Sequence, residues 1–485
     1  MKDLHLIPAQ NIARWIDRSA TIKALLATST LLLVASCATM YPSNPTLDQV
    51  GKDSSYTYQN VVEDSEAGSD VMILLAFSGG GTRAASFSYG VLRELAETQV
   101  TIDGKDHRLS DEVDVITSVS GGSFTAAYFG LYGDRIFEDF EDVFLRRDVQ
   151  GELTSQTLNP ANWSRLASPY FTRADMATEL YDATIFNHAT FADMQKAHGP
   201  YIVINATEMT LGTRFQFTQN YADVICTDLA NLPVARAVTA SSAVPILFSP
   251  ITLTNHAGEC DWQAPAWIEE ALATNDHSGR LYNLATNLVA LTDKEERPYL
   301  HLFDGGLADN LGLRAMLDGV LRHKGIDETL KAMGAEKTRK VVVIMVNSET
   351  ALDAESARLQ QSPTFTATLS AATSVPLSRY SFETVALMKN RMAEWEQQSY
   401  EKTCGKGARR GDHGDCKGVD FHFIEVSFSE HPDADESEYL KRQPTSFRLT
   451  DEAVDRLIEA GKVILRNNDE YRQLLDGKNV RKTEL

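Results

Sequence analysis

Apolar runs recur along the chain at residues 71–77, 113–117, 201–205, 299–303, 340–346 and 421–428. The first, VMILLAF, shows no alternation of polar and apolar positions. A continuous run of that kind suits a strand buried on both faces of a parallel sheet. Between the runs lie stretches with helical period, at 87–97 and at 381–396, where Val385, Met388, Met392 and Trp395 fall along one face. Near the end, Thr450 stands where a cap belongs, ahead of a helix with Val454, Leu457, Ile458 and Ile464 on one side and Arg456, Lys462 and Arg466 turned to water. Strands alternating with helices predict an α/β fold with a mostly parallel central sheet. Residues 254–297 and 350–380 separate the runs by more than an ordinary loop and are expected to be insertions, either lids over a site or surface elaboration.

Composition narrows this only a little. The chain has 485 residues, 43% of them hydrophobic, so it can bury a large core and is not a disordered protein. One large domain over 71–475 with a short tail at 476–485 accounts for the pattern.

The first 36 residues stand apart. Lys2, Arg14, Arg18 and Lys23 form a basic leader, followed by the apolar run ALLATSTLLLVA. That run is too short to span a bilayer as a helix but has the length of a signal-peptide core. It ends in Val34-Ala35-Ser36-Cys37, which resembles the lipobox of bacterial lipoproteins, where the cysteine thiol becomes the lipid-bearing thioether. The alternative is an ordinary signal peptide with an incidental Cys37. Residue 38 is Ala rather than Asp, which by analogy favours the outer membrane, facing the periplasm. More than one acyl chain at Cys37 would anchor the protein stably. Residues 37–70, rich in polar and acidic side chains, are then expected to be a tether.

The leader takes four basic and two acidic side chains out of a formal charge of −21, so the remainder is more acidic still, at −23. Such a balance argues against nucleic acid as a partner and against electrostatic adhesion to anionic lipid. Besides Cys37, the cysteines are Cys226, Cys260, Cys404 and Cys416. In an oxidising compartment these permit two disulfides, and the short loop between Cys404 and Cys416 is a natural one to close. No zinc-type spacing accompanies them, so neither a metal nor another cofactor is expected.

Three turns carry candidate chemistry. Ser78-Gly79-Gly80-Gly81-Thr82-Arg83 follows the first apolar strand; its glycines can present free N–H groups to a negative ligand at a helix start. It lacks both the Lys-Ser/Thr ending of a P-loop and the glycine spacing of a dinucleotide site. Ser118-Val119-Ser120-Gly121-Gly122 lies between an apolar strand and a helix-forming run, the context of a nucleophile elbow, where the flanking residues must be small. Asp304-Gly305-Gly306 follows the strand YLHLF and would deliver a carboxylate to the C-terminal edge of the sheet. Each alone also fits a packing turn.

Taken together and in this order, the three motifs resemble those of the patatin-like phospholipases, as do FNHATFADM at 186–194 and ASSAVPILFSP at 240–250. Ser78, Ala84 and Ser118 depart from the family pattern, all by small residues. The resemblance implies a three-layer patatin-like fold and a serine acyl hydrolase of the phospholipase A or lysophospholipase kind. It also implies a Ser-Asp dyad in which Ser120 is the nucleophile and Asp304 its base. The amides of Gly79, Gly80 and Gly81 would form the oxyanion hole, and Arg83 and Gly122 would support it. His301 and His422 are the alternative bases, but neither has the sequence context of a triad histidine. The expected substrate is a phospholipid or another acyl-ester lipid. A rival reading keeps the site and changes the acceptor, making an acyltransferase or an esterase of neutral lipids or envelope glycolipids. A further one is a non-catalytic envelope lipoprotein that binds acyl chains or proteins.

Overall fold

A computed structural model describes residues 43–51, 56–62, 70–102, 105–245, 248–351, 358, 360–411, 416–476 and 480–482. The leader, the lipobox and Cys37 lie outside the described residues. Within them, no helix is long and apolar enough to cross a membrane.

In chain order the strands are β1 (Val71–Phe77), β2 (Thr98–Ile102), β3 (Lys105–Arg108), β4 (Val113–Val119), β5 (Tyr201–Glu208), β6 (Thr213–Phe217), β7 (Ile251–Thr254), β8 (Tyr299–Asp304), β9 (Lys340–Asn347), β10 (Asp420–Ser427) and β11 (Val480–Lys482). The main sheet runs β10-β9-β1-β4-β5-β8-β7, with β6 also paired to β5. From β10 to β5 every pairing is parallel; β6, β8 and β7 join antiparallel.

The unbroken apolar character of β1 and β9 has its reason in the two cores. Ile73, Leu75 and Phe77 of β1, with Val342, Ile344 and Val346 of β9, enter one core, whereas Met72, Ala76, Val341, Val343 and Met345 enter the other. Side chains alternate across a strand, so a sheet covered on both faces needs apolar residues at every position. The first core takes its helical layer from Thr82–Glu97, Gly121–Tyr132 and Asp451–Asn467. The second takes it from Leu313–Arg322 and from Met388, Met392 and Trp395 of Phe365–Cys404. The expected three-layer α/β architecture follows.

The pairing at β5 positions the site. β6 occupies one edge of β5 over Ile204–Glu208, so β4 and β8 must share the other edge. Val119 lies opposite Asn205 and Asp304 opposite Ala206, the very next residue. Two strands thus end head to head in one lane, and the turns that leave them meet.

Several expectations need correction. Residues 37–70 are not a free tether throughout. Thr46 bridges to Thr227, the Asn44 side chain is buried and donates to Thr227 Oγ1 at 2.7 Å, and Tyr56 is fully buried with its hydroxyl on Ile202 O. Residues 476–485 are not wholly a tail, because β11 pairs with β2. The helix expected to start at 381 begins at Phe365 and carries Pro376 inside it. Residues 254–297 hold the helices Ala266–Ala273 and Arg280–Leu291, which leaves the expectation of an insertion there unchanged. Lys462 and Arg466 do not simply face water: Lys462 Nζ pairs with Glu97 at 2.8 Å and Arg466 with the fully buried Glu94 at 2.6 Å, tying Asp451–Asn467 to Thr82–Glu97. A hydrophobic period cannot reveal that an acidic residue of another helix waits under the polar face.

Candidate active site

Ser120 occupies the sharp turn between β4 and the helix Gly121–Tyr132 and adopts φ 50°, a left-handed conformation that a non-glycine residue holds only under constraint. The constraint comes from neighbours. The Ser120 amide donates to Ser241 Oγ at 2.9 Å, and the Ser241 hydroxyl donates to Asn205 O at 2.7 Å. Small residues after the serine are a steric necessity: a Cβ on Gly121 would lie 2.0 Å from Gly81 O, and one on Gly122 would lie 2.7 Å from Ser78 O.

Asp304, the last residue of β8, is buried, and the Ser120 side chain is near enough to its carboxylate to favour the ionised form. Its Oδ1 also accepts from the Gly306 amide at 2.7 Å. Backbone bonds hold the turn: the Asp304 amide donates to Ala243 O and the Gly305 amide to Ser241 O, each at 3.0 Å. Ser241 therefore touches both halves, its hydroxyl on the serine turn and its carbonyl on the aspartate turn. Burial raises the Asp304 pKa from 3.8 to about 6, while Ser120 and the Gly306 amide act in the opposite sense. A carboxylate tuned in this way can take a proton near neutral pH.

The glycine turn packs over the serine. Its Gly80 and Gly81 have positive φ, 145° and 61°. One sequence expectation is corrected here: the Gly79 amide donates to Asn310 O at 3.0 Å and is not free for an oxyanion. The amides of Gly80 and Gly81 have no protein acceptor among the described residues. Two donors therefore remain, because the third anchors the loop to the turn after Asp304.

Arg83 is buried and clips this loop from behind. Its Nε donates to Ser348 O at 3.2 Å and its Nη1 to Gln443 O at 2.5 Å. Burial lowers its pKa to about 10, leaving it cationic at neutral pH. Ser348 adds two bonds, its amide to Ser78 Oγ at 2.9 Å and its hydroxyl to Gly79 O at 2.8 Å. Sequence reasoning missed Ser348 and did not single out Ser241. The only signal for either was a small polar residue just past a buried element, in VNSE and in ASSAVP.

Neither alternative base reaches the serine. His301 Nδ1 bonds Thr252 Oγ1 at 3.0 Å, and His422 Nδ1 pairs with Glu470 at 3.1 Å. A cleft of about 160 Å³ opens at Ser120 and Gly81, walled by Leu153, Val244, Phe248 and Phe447, with Arg173 as its cation. Away from it, the cysteines form Cys226–Cys260 and Cys404–Cys416 disulfides.

Comparison with known proteins gives three results. The family model described as patatin-like phospholipase matches residues 75–317. No curated protein matches the chain. Among solved structures, the chain is similar to human GIVD cytosolic phospholipase A2, with 10% identity and a TM-score of 0.42 over 86% of this chain and 64% of that one. It is also similar to VipD from Legionella pneumophila, with 13% identity and a TM-score of 0.29 over 85% of this chain and 68% of that one. The chain thus spans less than two thirds of the human enzyme's chain.

Proposed function

The chain belongs to the patatin-like phospholipase family, and from that membership we propose that it is a carboxylic ester hydrolase cleaving fatty acyl esters of membrane lipids by a Ser120-Asp304 dyad. The observation that carries this reading is the meeting of the strained Ser120 turn and the buried Asp304 turn at adjacent positions along β5, both fastened to Ser241, beside two uncommitted glycine amides.

A serine hydroxyl is a weak nucleophile until a base within reach removes its proton. Asp304, ionised above about pH 6, accepts that proton as Ser120 Oγ attacks the ester carbonyl. Negative charge gathers on the carbonyl oxygen, and the Gly80 and Gly81 amides, already held in place, stabilise it without reorganising. Asp304 then gives its proton to the departing alcohol oxygen, leaving an acyl group on Ser120. Water attacks this ester with Asp304 again as base, and Asp304 returns that proton to Ser120 Oγ as the acyl–oxygen bond breaks and the fatty acid leaves. The apolar wall of Leu153, Val244, Phe248 and Phe447 suits an acyl chain.

The proposal extends to location. Val34-Ala35-Ser36-Cys37 supports lipidation at Cys37 and an envelope membrane as the working surface. Loss of radiolabelled palmitate incorporation on Cys37→Ser would agree; unchanged incorporation would refute it.

The decisive measurement is turnover of a panel of phospholipids and monoacyl esters, with and without alcohol acceptors, beside labelling by a serine-directed fluorophosphonate. Wild type should react and turn over, Ser120→Ala should do neither, and Asp304→Asn should lose about 10²–10⁴-fold in turnover. Equal turnover by all three removes the enzyme reading.

A further inference from the structure

A second cavity, of about 170 Å³, lies beyond the helix Gly306–Asp309 and shares no lining residue with the Ser120 cleft. Three arginines line it: Arg214 from β6, Arg280 at the start of Arg280–Leu291 and Arg314 at the start of Leu313–Arg322. In a chain of formal charge −21, three guanidinium groups around one small cavity call for an explanation.

Among the described residues, Arg214 is the one of the three with carboxylates within ion-pair distance, and one of these, Asp318, also lines the cavity. Arg214 is buried and pairs with Asp318 and, at 3.8 Å, with Asp309. Arg314 stacks over Tyr380, with its Cζ 3.9 Å from the ring centroid, and its Nε donates to Thr384 Oγ1 at 3.1 Å. Asp309 accepts from the Arg314 backbone amide rather than from its guanidinium. Among the described residues, neither Arg314 Nη nor the exposed Arg280 has a carboxylate partner. Burial pushes the Arg314 pKa down; Tyr380 and Asp309 act against that, while Arg280 and Arg214 add to it. Like charges are thus held close together on separate elements. Asn283 and Asn287, on the same lining, add amide groups to the wall.

We propose that this cavity binds a phosphate-class oxyanion, held by Arg280 and Arg314 with Arg214 fixed behind them. The Arg280 guanidinium and the Nη groups of Arg314, whose Nε is taken by Thr384, suit a doubly charged tetrahedral anion, whose oxygens accept charge-assisted bonds from both. The source is either free phosphate or the phosphomonoester of a lipid head group.

Calorimetric titration of the full chain with inorganic phosphate tests it. Wild type should show saturable one-site binding, weakened about tenfold or more by each of Arg280→Gln and Arg314→Gln. Arg280 is exposed, so its variant folds regardless of what Arg314 does for packing. Sedimentation with phosphatidylcholine vesicles, with and without phosphatidic acid, separates the sources. Binding to the phosphatidic acid vesicles that the double variant loses assigns a lipid head group, whereas an effect confined to the phosphate titration assigns the free ion. Absence of saturable binding, or equal binding by wild type and both arginine variants, overturns the proposal.

Discussion

The Ser241 hydroxyl accepts a 2.9 Å hydrogen bond from the Ser120 amide. The same residue offers its carbonyl to Gly305, so one serine outside all three sequence motifs fastens the turn of Ser120 to the turn of Asp304. Ser241→Ala strands a buried amide, a loss of about 1–3 kcal/mol. Chemical denaturation should register that loss, and kcat should fall more than KM rises because the strained φ of Ser120 loses its restraint. Unchanged stability and kcat would show that Ser241 is a bystander.

As the proposed base, Asp304 should set a pH profile. With its pKa near 6 the base is protonated in acid, so turnover should fall about tenfold per pH unit below that value and level off above it. A pH–rate curve flat through this range rules out Asp304 as the base.

The same residue should make activity and stability oppose each other. Its folded-state pKa is raised, so its contribution to stability is fully present below about pH 4 and is lost as pH rises through about 6. Ionised Asp304 therefore costs on the order of 3 kcal/mol at neutral pH. Asp304→Asn should turn over about 10²–10⁴-fold more slowly yet be more stable than wild type at neutral pH, with the gain vanishing in acid. Denaturant midpoints on both sides of the titration measure it; a neutral-pH loss contradicts the burial argument.

Arg83 should act through the loop it clips. Arg83→Lys cannot serve both Ser348 O and Gln443 O with one ammonium group. Misplaced Gly80 and Gly81 donors should lower kcat by about ten- to a hundredfold with little change in KM. A change confined to KM would instead mean that Arg83 binds substrate in the ground state.

Arg466→Ala removes the cation that Glu94, fully buried, meets at 2.6 Å. Arg466 is itself exposed while Glu94 is left buried, so the loss lies below that of a fully buried pair, at about 1–3 kcal/mol. Arg442→Ala, which breaks the exposed pair with Glu438, should cost about 1 kcal/mol or less. Similar melting temperatures for the two variants would show that the Glu94 pair does not hold the two helices together.

The parallel half of the sheet was legible because burial on both faces leaves a local mark. VMILLAF and KVVVIMV have no polar face to show, and that alone identifies them as interior strands. The site motifs were legible for a similar reason: a nucleophile turn, a carboxylate turn and a donor loop each need small residues within a few positions of a strand end. The shorter antiparallel strands β6 and β7 left no such mark, and β7 has only four residues.

What the chain's own order of residues determined is thus a set of local facts: which runs are interior, which turns are tight, and that Ser120, Asp304 and the glycine triplet stand at strand ends. Only the tertiary structure decided which of these meet and which donors are free. Ser120 and Asp304 come together because β4 and β8 end head to head along β5, a matter of register among three strands. Gly79 is lost as a donor because Asn310, more than two hundred residues later, takes its amide. Hydrogen bonds and ion pairs of this kind depend on distances across the fold, and no periodicity within a segment encodes them.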